Sequence, residues 1–197
     1  MTFSVLTTSL DLLRQVAIRV PADELDNPTP CSDWTVAQVL LHAAGDQHAW
    51  ASAVGSSPQP AYNPFVPAKQ LDSTIDDLIE PAIQAATAAW AGVDPAHESV
   101  PTPLPPFPAM TPELAAATCA LDAAIHAWDI AVATGQPSPL TAELAGQLRR
   151  AADATAESLR GFAYAPALTD EAADGPAATL LRYLGRNPSW TPEFPRL

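Results

Sequence analysis

Six segments with apolar residues at helical spacing, several opened by a Thr cap and closed by Gly, together with almost no alternating strand pattern, predict an all-α fold. The arrangement expected is a helical bundle crossed by one long proline-rich connection. A chain of 197 residues can bury a substantial core, and residues 1–197 read as a single domain.

The first segment, about residues 3–20, repeats Leu6, Leu10, Leu13, Ala17 and Val20 on one face. Pro21 to Trp34 is a loop with Pro28, Pro30 and Cys31. The second helix opens at Thr35 with Gln38 three residues on, a capping box, and runs to about Val54. A Pro- and Ser-containing loop follows to about Gln70. The third helix carries Ile75, Ile79, Ala82, Ile83, Ala86 and Trp90 and stops at Gly92; Pro81 inside it predicts a kink or a late start. Residues 93–110, with Val100 to Pro108 dense in proline, are expected to be irregular, a long loop of the kind that covers sites. The fourth helix starts at the Thr111 cap with Pro112 at its first position and ends before Gly135. Thr141 and Glu143 open a fifth helix to about Leu159, and a short sixth runs from Pro176 to Leu184.

Composition removes several functions. The net charge is −13, which argues against a phosphate backbone or an anionic membrane surface as partner. No run of 18 or more apolar residues suggests a membrane span, and Asp11, Arg14 and Arg19 interrupt any signal peptide. Two cysteines, Cys31 and Cys119, make no disulfide framework, so a cytoplasmic, reduced protein is expected. There is no glycine-rich phosphate loop, no Gly-x-Ser-x-Gly and no Cys-x-x-Cys.

The chemistry-bearing residues are His42 on the second helix and Asp122 with His126 on the fourth. Asp122 and His126 are four apart, one turn, so both face the same way from an apolar helix. A buried carboxylate needs a cation or a proton. Two imidazoles and one carboxylate are a catalytic ligand set for zinc with a fourth position open, and bundle cores build such sites from facing helices. The three ligating atoms are therefore expected to converge within roughly 4–5 Å of one another, given metal–ligand distances of ~2.0–2.2 Å. Asp129, three residues on, extends the polar stripe as a supporting or structural group. Asp46, one turn beyond His42, is a competing ligand. His48 is expected to be off that face and exposed, and His97 to lie in an acidic loop. Trp34, Trp50 and Trp128 flank the ligands as core or as pocket wall. Both cysteines are expected to be inert.

Three stretches carry a resemblance. Thr29 to His42, Asp122 to Ala131, and Tyr183-Leu184-Gly185-Arg186-Asn187-Pro188-Ser189-Trp190 resemble, in order, the N-terminal motif, the second metal motif and an actinobacterial C-terminal signature of the mycothiol-dependent maleylpyruvate isomerase group, within the DinB-like metal-binding superfamily. The resemblance implies a DinB-like four-helix bundle, here with additional C-terminal helices, and a divalent metal, zinc first and nickel second. It places the ligands on His42, Asp122 and His126. The isomerase usually carries Glu where this chain has Asp122, and it has a C-terminal domain for which too few residues follow the fifth helix here. Fold and metal thus transfer better than the isomerisation itself.

The resemblance implies mycothiol as cosubstrate. A thiol beside a bound dication loses its proton, and the thiolate attacks an electrophilic carbon, giving S-transfer or reversible addition and isomerisation. Trp34, Trp50 and the proline-rich loop would shape the acceptor pocket, with Arg186 as an anion contact. The partners expected are a small thiol, an electrophile and, in a homodimer, a second copy. A metal-dependent hydrolase is the enzymatic alternative; a non-catalytic metal- or ligand-binding bundle, or a scaffold with an empty site, is the other. The sequence leaves enzyme and binding protein both open.

Overall fold

The structure, a computed structural model, describes residues 3–192 apart from Ser32 and Ser56. Its α-helices are α1 (Ser4–Ala17), α2 (Val36–Val54), α3 (Ile75–Ala91), α4 (Pro112–Ala133), α5 (Ala142–Thr155) and α6 (Pro176–Tyr183). The protein is all-α, a DinB-like four-helix bundle with added C-terminal helices. α1 packs on α4 and α3, and α2 packs on the same two, so the four helices close a ring in the order α1, α4, α2, α3. α5 lies against α4 from outside the ring, and α6 lies against α5.

The helix starts follow from local chemistry. Thr35 accepts the Gln38 N–H while the Gln38 side chain accepts the Thr35 N–H, the reciprocal capping box. Thr74, Thr111 and Thr141 each accept an N–H from three residues on. α1 buries Leu6, Leu10, Leu13 and Ala17, one stripe at helical spacing. α4 differs because it touches α1, α2 and α5 and is buried nearly all round. It is long and apolar enough by composition to cross a bilayer, yet 83% of that stretch is buried inside the protein. Its hydrophobicity is that of a central helix, which is why the polar groups it carries must be paired within the fold.

Two expectations need correction. Of the two outcomes expected at Pro81, a kink or a late start, the late start does not occur: α3 begins at Ile75 on the Thr74 cap. Pro81 and Asp77, whose carbonyl loses its helical donor, are both exposed, so water can serve that carbonyl. The crossover is also not wholly irregular. β1 (Val100–Pro101) pairs antiparallel with β2 (Ala109–Met110), in register Val100 to Met110. Val100 and Met110 are buried, which anchors the pinch, and the loop between them turns Leu104 inward. Two residues are too few for alternation to be readable in the sequence. At the C-terminal side, α5 ends at Thr155 and Glu157–Leu159 continue as a 3₁₀ turn.

Two helices end in the same turn. After α4, Gln136 N–H reaches the Ala131 carbonyl at 2.8 Å, with Gly135 at φ +65°. After α6, Arg186 N–H reaches the Leu181 carbonyl at 2.8 Å, with Gly185 at φ +78°. The surroundings differ. A Cβ on Gly135 would meet nothing within 4 Å, whereas one on Gly185 would lie 2.9 Å from both the Ala165 and Pro166 carbonyl oxygens. Gly135→Ala is therefore expected to cost about 1 kcal/mol of backbone strain. Gly185→Ala should cost more, about 2–3 kcal/mol, because strain and collision add. Urea unfolding midpoints compare the two, and equal losses would contradict this account.

Candidate metal centre

α2 and α4 face each other, and each brings part of the site. His42 lies two turns into α2; Asp122 and His126 lie one turn apart on α4. Asp122 Oδ1 is 3.8 Å from His42 Nε2 and 3.5 Å from His126 Nε2. One ligand atom from each of the three residues lies within 4.8 Å of the others. The two imidazoles meet edge to face, with centroids 4.7 Å apart.

The outer contacts decide which atoms face inward. His42 Nδ1 is 3.0 Å from the Pro64 carbonyl oxygen, and His126 Nδ1 is 3.0 Å from Asp129 Oδ2. Both acceptors call for a proton on Nδ1, so the neutral form of each ring carries its lone pair on Nε2, toward Asp122. Imidazoles held this way, with a carboxylate between them, fit a divalent cation of the zinc or nickel kind. Pro64 can come so near α2 because residue 45 is glycine; a Cβ there would lie 2.7 Å from Pro64 Cγ. Gln47, wholly buried, donates to Asp122 Oδ2 at 3.4 Å and accepts from the Cys119 thiol at 3.2 Å, leaving Oδ1 to the imidazoles.

Behind His126 stands a buried ion pair. Arg186 grips Asp129 with Nε and Nη2, each 2.9 Å from a carboxylate oxygen, and its Nη1 donates to the Leu184 carbonyl. Burial opposes the Asp129 carboxylate, but Arg186 and His126 outweigh it and hold Asp129 below the usual carboxylate range. Asp122 is likewise pushed up by burial and held low by His126 and His42. Asp46 goes the other way: burial and the Asp122 charge raise it. For His42, burial disfavours the imidazolium, yet Asp46 and Asp122 prevail and lift it from 6.5 to about 9.

A cavity of about 460 Å³ opens over the trio. Trp34 lines its rim, 4.7 Å from the His42 ring, while Trp50 lines it from the core, 1% exposed and packed on Trp90. Arg186 lines it as well, with its guanidinium turned to Asp129. Trp128 is core only. Asp46 Oδ2 is 3.9 Å from His42 Nε2, beside the convergent trio and not within it. His48, expected to be exposed, is half-buried: its side of α2 is partly covered. His97 is exposed. Burial pushes the Cys31 thiol up to about 12 and Cys119 well above its ordinary value, so neither offers a thiolate.

Sequence reasoning overlooked Gln47, Gly45 and the ring pair Phe65 and Phe162. Gln47 had a readable signal, a carboxamide inside an apolar helix. The others act through contacts with distant segments.

Residues 6–131 match the family described as "Mycothiol maleylpyruvate isomerase N-terminal domain". The chain belongs to this family. Among its relatives are "Uncharacterized protein MT0763" of Mycobacterium tuberculosis (strain CDC 1551 / Oshkosh) and "Uncharacterized protein Rv0738" of Mycobacterium tuberculosis (strain ATCC 25618 / H37Rv). Each is 30% identical over 151 residues, 73% of this chain and 73% of the relative. No solved structure matches the chain significantly. The isomerase-family match thus spans the helices that carry all three ligand candidates, and ends five residues after His126.

Two outcomes follow from the electrostatics. Arg186→Ala strands Asp129 at zero exposure and should cost about 3–5 kcal/mol in urea unfolding; an unchanged midpoint would show the pair to be dispensable. The second concerns pH. In chelator-treated protein the raised His42 contributes stability fully present below pH 6.5 and lost as pH rises toward about 9. A cation requires neutral His42, so metal affinity rises over the same window. Melting temperatures of stripped and zinc-loaded protein should therefore diverge with increasing pH, and parallel curves would refute the assignment.

Proposed function

We propose that this protein is an enzyme that uses a divalent cation, zinc or secondarily nickel, to activate a low-molecular-weight thiol against an electrophilic carbon. His42, Asp122 and His126 are the proposed ligands and mycothiol the proposed cosubstrate. S-transfer, or reversible addition with isomerisation, is the outcome. The observation that carries the reading is that all three donor groups line one cavity of about 460 Å³, with no fourth side chain in the convergent group among the described residues. Closed structural sites surround the ion with protein; catalytic sites keep a side open. The family match supports the thiol.

A dication bound there would favour thiolate over thiol at neutral pH. The chain's own residues do the rest. Asp129 and Pro64 hold the imidazoles, and Gln47 holds the Asp122 carboxylate. Asp46 Oδ2, beside His42 Nε2, is the group proposed to relay the thiol's proton to solvent. Trp34, Phe65, Leu104, Ile125 and Leu159 wall the space in apolar surface and limit water around the nucleophile. We assign the enzyme to the cytoplasm, where its two free cysteines stay reduced.

Metal analysis of native protein comes first. Adding thiol to the zinc-loaded protein in weakly buffered indicator should then release about one proton per site, and thiol consumption with an electrophile should accelerate. His126→Ala should lose both metal and proton release, while Cys31→Ser and Cys119→Ser keep them. Loaded protein that neither releases the proton nor consumes thiol overturns the proposal, and loss of metal in Cys119→Ser would make the protein's own thiol a ligand.

A further inference from the structure

We infer that the acceptor at this site is an uncharged, planar, aromatic or conjugated carbon electrophile and not a dicarboxylate. This rests on the thiol-activating reading above and narrows it. Three independent features of the cavity carry it.

The rim is a ladder of rings. Trp34 lies 4.7 Å from His42, His42 lies 5.5 Å from Phe65, and Phe65 lies 4.8 Å from Phe162, centroid to centroid. Phe65 belongs to the loop between α2 and α3 and Phe162 to the segment after α5, so two distant loops meet ring to ring across the opening. Phe162 is 56% exposed. A large ring left in water at the edge of a cavity, beside a second ring, offers a surface for another flat apolar group.

The one fixed cation of the described lining is already paired. Its one Arg or Lys is Arg186, and every nitrogen of that guanidinium is already donating, to Asp129 or to the Leu184 carbonyl. The backbone is committed too. The N–H groups of Gly161, Phe162, Ala163 and Tyr164 all donate to carbonyls of their own turn, as do those of Gly185 and Arg186. These six N–H groups form no anion nest.

The fixed charge is of the wrong sign for an acid. Asp33, Asp46 and Asp122 line the cavity. Maleylpyruvate, the substrate in the family's name, is a dicarboxylate. A bound dication can balance one carboxylate, but a second would face Asp46 and Asp33 with no second cation free beside it. A neutral acceptor meets none of this. In the reaction the S–H proton leaves to Asp46 or water and sulfur forms the new C–S bond; on an aromatic acceptor the leaving group departs with its bonding pair, and on a conjugated acceptor the C=C pair moves to the far carbon, which takes up a proton. No oxidant or reductant is required.

Equilibrium dialysis of the zinc-loaded full chain, without thiol, tests the inference with 1-chloro-2,4-dinitrobenzene and maleate as probes. The dinitrobenzene should bind at least about tenfold more tightly than maleate. Phe162→Ala, at an exposed position that folding tolerates, should weaken the dinitrobenzene by about three- to tenfold. Phe162→Arg places an unpaired cation on the rim and should strengthen maleate while weakening the dinitrobenzene. Maleate binding as tightly as the dinitrobenzene, no binding of the dinitrobenzene, or no effect of Phe162→Ala each overturns it. Because thiol is absent, failure of thiol activation leaves this selectivity standing. Conversely, thiol consumed faster with maleate than with the dinitrobenzene would keep the thiol reading and end this one.

Discussion

A fully buried carboxylate, Asp129, sets the terms for the rest of the molecule. It sits on α4, the helix enclosed by α1, α2 and α5, where no water can solvate it. An ionised carboxylate in such a place is tolerable only with a close cation and satisfied oxygens. Arg186 supplies the cation from 57 residues further along the chain, and His126 supplies a hydrogen bond. The tail therefore has to return to the bundle. α5 and α6 bring it back, and the turn at Gly185 puts Arg186 against α4 while leaving room for the carbonyls of Ala165 and Pro166. The same carboxylate that fastens the tail fixes the proton on His126, so closure of the fold and orientation of a proposed ligand are one interaction.

The opposite side of the site is built by different means. His42 is held by a backbone carbonyl, that of Pro64, and a carbonyl brings no net charge. Its approach depends on Gly45 having no side chain and on Tyr62, whose hydroxyl donates to the Leu41 carbonyl at 2.7 Å and ties the loop to α2. Between the two imidazoles, Gln47 occupies one oxygen of Asp122 and leaves the other to the site. Each donor is thus restrained by a contact of its own, which is what a site needs when tenths of an ångström determine whether an ion is bound.

The legible part of this architecture is the local part. Thr35, Thr111 and Thr141 announce helix starts because a cap is written within four residues, and the pairing of Asp122 with His126 is legible because one helical turn is four residues. His42 could be joined to them only by the expectation that facing helices share a site and by family resemblance. The late start expected at Pro81 does not occur because the cost of a proline there depends on whether the orphaned carbonyl faces water, a tertiary fact. The strand pair at Val100 and Met110 is too short to show a period. Arg186 with Asp129, and Phe65 with Phe162, are contacts between segments far apart in sequence, and no spacing rule reaches them.

That division also separates the residues inside the family match from those beyond it. The family match ends at residue 131, after the helices carrying His42, Asp122 and His126. Leu159, Phe162, Tyr164 and Arg186, which complete the cavity wall, all lie beyond it. The proposed ion demands fixed distances and is placed on helices, whose spacing is set by the packed core. The proposed acceptor needs only a surface of suitable shape and charge, and much of that surface is formed by loops, elements that can change without disturbing the bundle. A relative can therefore keep the three donors and handle a different molecule. The charge of the rim, with its acidic groups and its committed arginine, and not the family's name, is the physical guide to what enters here.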